Sequence, residues 1–108
     1  MQLTSVAEGS VPGPGGVAVD VVLRAAGCNV RVIRIGPGHA LPAHTHGASD
    51  VVLHVVEGTG RIDLAEGAEI APGTLVHLHG DEALRVANTG PADLVLLGVF
   101  APPFPAGG

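Results

Sequence analysis

Six histidines stand in this chain, and four of them form two H-x-H pairs, His44-Thr45-His46 and His77-Leu78-His79. In extended backbone residues i and i+2 share a face, so each pair can bring two imidazoles to a common point. Neutral imidazole ligates zinc, iron, copper and nickel alike. The first pair lies within the stretch Gly38 to Gly58 and precedes an apolar run, residues 51–56, broken by His54. Two imidazoles alone make a weak site, because a zinc centre takes three or four protein ligands. Asp50 is the first candidate for a third donor. A one-residue bulge in the following strand would turn it inward, together with His54, which shares its parity. Without that bulge Val51, Leu53 and Val55 line the interior, and Asp50 and His54 face outward. His77 and His79 supply the donor if they point inward. If they point outward they are solvated or lie at an interface. His39 is expected to be exposed, and Ser5, Ser10 and Ser49 assemble no Ser–His–Asp triad.

The arrangement around the first pair resembles the first motif of the cupin family: a glycine, H-x-H, a glutamate and a closing glycine. Gly38, His44, His46 and Gly58 fall in register, whereas the glutamate position holds Val51, one place after Asp50. The second cupin motif maps onto Gly73 to Asn88. Its first and last residues match, but His79 replaces the proline, Asp81 the glycine and Leu84 the third metal histidine. The resemblance runs from roughly Val17 to Pro103. It implies a double-stranded β-helix, or jelly-roll barrel, whose mouth holds a metal or ligand. A divalent transition metal (Zn, Fe, Ni, Mn or Cu) would sit on His44 and His46, completed by Asp50 or by His77 or His79. The chemistry implied is of dioxygenase, isomerase or decarboxylase type on a small polar or oxygenated molecule. The loss of the glutamate and of the third histidine implies an alternative, a non-enzymatic small-molecule binding or sensing module with a degenerate metal site.

The chain has 108 residues, enough for one domain with a core. Hydrophobic residues make up 46% of it, yet Phe100 and Phe104 are the only aromatics, so Val, Leu, Ile and Ala must build that core. A mean hydropathy of +0.46 is high for so small a domain and implies apolar area covered by a second copy, a homodimer. Five arginines, no lysine and a net charge of −5 leave no basic stripe for nucleic acid. No apolar run is long enough to span a membrane. No secretory pattern opens the sequence. Cys28 is the single cysteine, which points to a reducing cytoplasm. Arg31, Arg34 and Arg85 would hold an anionic substrate if one entered the barrel; the surface is the expected place for each.

No segment carries a sustained 3.6-residue period. Instead, 17 glycines and nine prolines punctuate short apolar runs, which is the all-β signature of a sandwich or barrel. The spacing predicts strands over Val17–Arg24, Asn29–Ile35, Val51–Glu57, Arg61–Ala65, Thr74–His79, Ala83–Ala87 and Asp93–Phe100. Residues 1–16 read as an irregular arm, residues 17–103 as the barrel domain, and residues 104–108 as a tail that proline keeps out of any central strand.

Overall fold

A computed structural model describes residues 1–63 and 66–103. The expected tail and the last two residues of the Arg61–Ala65 strand lie outside the described residues. Nine strands form among the described residues: β1 (Val17–Arg24), β2 (Asn29–Ile35), β3 (Ala40–His44), β4 (Asp50–Glu57), β5 (Gly60–Asp63), β6 (Ala68–Ile70), β7 (Leu75–Leu78), β8 (Leu84–Asn88) and β9 (Leu94–Ala101). They make two antiparallel sheets, one ordered β1-β2-β9-β4-β7 and the other β3-β8-β5-β6. This is the expected all-β, two-sheet barrel. The arm carries a single 3-10 turn, Val6–Glu8, capped by the Ser5 hydroxyl.

Alternation decides what enters the barrel. Ile33 and Ile35 of β2, Val51, Leu53 and Val55 of β4, and Leu94, Leu96 and Phe100 of β9 point inward. They meet Ile62, Leu84 and Val86 from the facing sheet. Each fully buried side chain of this kind stabilises by about 1.5–3 kcal/mol. A one-residue slip would expose a whole row, so the register is strongly specified. The outward row of β1 and β2 is covered by the arm, where Arg34 Nη2 donates to the Val6 carbonyl at 2.7 Å. Asp20 accepts from the Ser10 N–H at 2.6 Å and from its hydroxyl at 2.9 Å.

The matching motif positions prove to be parts of the frame. Gly58 has φ +85, and a Cβ there would meet the Asp93 carbonyl oxygen at 2.5 Å. Asn88 is buried and clamps three segments. Its amide donates to the carbonyls of Ile35 and Ala92, each at 2.8 Å, and its oxygen accepts the Gly90 N–H at 2.9 Å.

Two strands, β3 and β6, fall outside the runs that the spacing predicts. β3 contains Pro42, which an edge strand tolerates because one side of its ladder is unpaired. Its pairing with β8 also slips: Leu41 faces Val86 and His44 faces Leu84, three residues of β3 spanning two of β8. That extra residue is a bulge at Pro42–Ala43.

Candidate functional site

A cavity of about 500 Å³ opens between β3 and the β1-β2-β9 side of the larger sheet. Val19 and Val21 of β1, Ile33 of β2, Leu41 of β3 and Phe100 of β9 give it apolar walls. Arg24 and Arg31 give it a cationic end, with His44 and His46 beside them. Asp20 also borders it, with its carboxylate engaged by Ser10. On a chain of net charge −5, this is a local reversal of sign.

The β3 bulge puts the first histidine pair here. Strict alternation from inward-facing Leu41 would turn His44 away; the extra residue brings it opposite inward-facing Leu84. His46 lies past the strand end, only 5% exposed, with its N–H donating to the Gly80 carbonyl at 2.6 Å. The two imidazole rings stand 4.4 Å apart at 57°. His44 Nδ1 lies 2.9 Å from the Pro42 carbonyl, which can only accept, so Nδ1 carries the proton and Nε2 the lone pair of the neutral ring. Burial, then the neighbouring His44 and Arg31 charges, push the His46 pKa down, so it is neutral at pH 7.

Arg31 corrects the expectation of a solvated arginine. It shares the inward parity of Ile33 and Ile35, is 5% exposed, and its guanidinium carbon sits 4.8 Å above the Phe100 ring. Opposite it on β9 is Gly98, where a Cβ would crowd the Phe100 ring at 2.9 Å; the missing side chain leaves room for that ring. Burial lowers the Arg31 pKa from its usual value, yet an arginine remains charged. Parity with Ile33 and Ile35 is the signal in the sequence that could have located it. Arg34 is half-buried under the arm, so the expectation of surface solvation is corrected for it as well, whereas Arg85 pairs with Asp63 on the surface at 2.8 Å, as expected.

The five candidate ligands divide into two groups. The bulge that would turn Asp50 inward is absent: Asp50 pairs with Ala101 and Val51 with Phe100, and the register shifts only between Val55 and Glu57. Asp50 and His54 therefore point away from the barrel interior, and His54 faces Leu75 rather than His77. His77 and His79 flank inward-pointing Leu78 and face out beside Asp50. Among the described residues, Asp50, His77 and His79 are the one group of three with metal-ligating spacing.

A resident cavity metal can be tested against these side chains. Val51 and Leu84, both buried apolar residues, occupy the positions where the family motifs place a glutamate and a third histidine. A buried guanidinium lines the same space. Two imidazoles beside a cation, with no third donor among the described residues, do not fit a three- or four-ligand metal centre.

Two antiparallel sheets closed around an apolar core, with a small cavity at one end, define a double-stranded β-helix protein. Residues 31–100 match the cupin domain family, and the chain belongs to that family. The TT1209 protein of Thermus thermophilus is 25% identical and superposes with a TM-score of 0.85, over 95% of this chain and 99% of that one. A double-stranded β-helix protein of Klebsiella pneumoniae is 22% identical with a TM-score of 0.86, over 94% and 90% of the two chains. KdgF of Halomonas sp. is 20% identical with a TM-score of 0.76, over 88% and 87%. The last two likenesses speak to the fold alone. No curated protein matches the chain in sequence.

Proposed function

We propose that this cupin binds a small organic anion, a carboxylate on an apolar body, in the cavity behind His44 and His46. The observation that carries the reading is Arg31, a buried cation seated over Phe100. Val19, Val21, Ile33 and Leu41 make the pocket's other walls apolar, apart from Asp20 at its border and Arg24, His44 and His46 near the cation. A guanidinium recognises a carboxylate through paired N–H donors. The cavity's size lies in the range of small-molecule sites, and Arg24 at its exposed end extends the positive field. His44 Nε2 and the neutral His46 ring supply further polar contacts at the cationic end. Among the described residues the expected divalent metal has no complete donor set in this cavity.

The test is calorimetric titration and thermal shift with butyrate, 2-oxobutyrate and phenylacetate. At least one should bind the wild type, and Arg31→Met should weaken it roughly 10–100-fold, the equivalent of about 1.5–3 kcal/mol for a hydrogen bond to a charged group. Binding unaffected by Arg31→Met, or no binding by any carboxylate, overturns the reading.

One observation favours a second reading in which the bound acid is also turned over. His46 is held neutral beside a cation, the pairing needed to accept a proton from carbon next to a carbonyl while the charge that develops is stabilised. Solvent deuterium exchange into a bound 2-oxo acid, lost in His46→Gln while binding persists, supports an isomerase or decarboxylase type of enzyme. Binding without exchange supports the binding module.

We also propose a cytoplasmic homodimer. Val52 is 40% and Leu75 69% exposed, and both lie on the outer face of the β4–β7 edge that the arm leaves uncovered. A second copy applied there would cover the same apolar pair on both chains. Sizing at micromolar concentration should give a dimer that Leu75→Glu splits; a monomeric wild type overturns this.

A further inference from the structure

We propose that Asp50, His77 and His79 form a divalent transition-metal site on the outer face of the larger sheet, separate from the cavity. The donors are two imidazoles and a carboxylate, a set suited to zinc, iron, cobalt or nickel. They are already gathered: Asp50 Oδ1 lies 3.2 Å from His77 Nε2 and 3.1 Å from His79 Nδ1. Bonds of about 2.0–2.1 Å at tetrahedral angles place neighbouring donors about 3.3 Å apart, close to both carboxylate–imidazole distances. All three ligand atoms lie within 4.8 Å of one another.

The β-ladder presents them. Val51 pairs with Leu78 and Val52 with His77, and the inward anchoring of Leu78 holds both flanking imidazoles out toward β4. Three protein donors leave at least one position for water. The ion would also brace the cavity from behind. His79 runs directly into Gly80, whose carbonyl receives the His46 N–H, and Gly80 is packed against the carbonyls of Gly47 and Ser49 with no room for a side chain. Tying His79 to Asp50 fixes the turn that holds His46. This inference is independent of the cavity's ligand, and the cavity histidines serve as its control.

Tag-free protein stripped with chelator is titrated with Co²⁺ and, separately, Zn²⁺. The wild type should take up one ion per chain, with the visible absorption of four-coordinate cobalt, and its melting temperature should rise with zinc. His77→Ala and His79→Ala should each weaken binding by more than roughly 100-fold, the loss already typical of removing a mere supporting partner. Asp50→Asn should do so less. All three residues are exposed, and circular dichroism verifies that each variant folds. A His44→Ala/His46→Ala double variant should bind as the wild type does. No saturable uptake, uptake that survives His77→Ala with His79→Ala, or uptake lost with His44 and His46 each overturns the proposal.

Discussion

His44–His46 and His77–His79 share a spacing and a sheet-forming context, yet they stand on opposite sides of the barrel wall. The first pair closes one end of a cavity beside a buried arginine; the second lies on the outer face beside a carboxylate. The H-x-H pattern guarantees only that two rings share a side. Which side is set by neighbours that carry no chemistry. Leu78, between the outer pair, is buried in the core, so the rings flanking it must face out. The inner pair has no such neighbour. Its direction comes from the Pro42–Ala43 bulge, which shifts the phase after Leu41 and turns His44 toward Leu84. The surroundings then diverge in charge. Inward lies a cation, which suits an anion; outward lies Asp50, which suits a metal ion.

The largest expected effect comes from removing what sets the outer pair's direction. Leu78→Ala should lower unfolding free energy in urea by about 2–5 kcal/mol, as for other buried leucines, and should loosen metal binding at the outer donors with it. Unchanged metal affinity in a folded Leu78→Ala protein would show that β7 does not need its core anchor to present them. A smaller cost, about 1–3 kcal/mol for a polar ring among apolar neighbours, is expected of Leu84→His. It places a third imidazole directly across from His44. In a chain already carrying His77→Ala and His79→Ala, only the Leu84→His protein should take up zinc or cobalt. Absence of uptake would mean that His44 and His46 do not converge on a point that residue 84 can reach.

Much of the frame was legible because it depends on apolar phase and on glycine. β1 and β2 coincide with the runs Val17–Arg24 and Asn29–Ile35, and Gly38, Gly58 and Gly73 all take positive φ where the motif places them. Asn88 was legible as a motif residue, though its three hydrogen bonds were not. β3 was not delimited, since a proline and a bulge remove the period that marks a strand. The bulge was sought at Asp50 and lies instead before His44, because a register slip is decided by the partner strand. Arg31 was legible in parity but not by residue type: arginine is seldom buried, and only the space left by Gly98 and filled by Phe100 makes it so. The candidate ligands were thus named individually, and their separation into two groups awaited the pairing of β4 with β7 and of β3 with β8.

The smallest effect separates the two regions by pH. His46 holds its proton less tightly when folded than in the unfolded chain, because burial opposes the charge and His44 and Arg31 add to it. Above the ordinary histidine value, about 6.5, both states are neutral and pH has no effect through this group. As pH falls below that value the unfolded chain takes up the proton first, so stability is lost on acidification. The Asp50 carboxyl runs lower than usual, chiefly through the hydrogen bond to His77 and then that to His79. Its contribution is present above the ordinary carboxyl range and is lost only as pH falls through about 4 and below. Urea midpoints followed from about pH 7.5 down to about pH 3 should therefore fall in two stages. His46→Gln should flatten the upper stage alone, and Asp50→Asn should reduce the lower one alone. An upper stage that persists in His46→Gln would assign it to another group and break the contrast between His46 and Asp50.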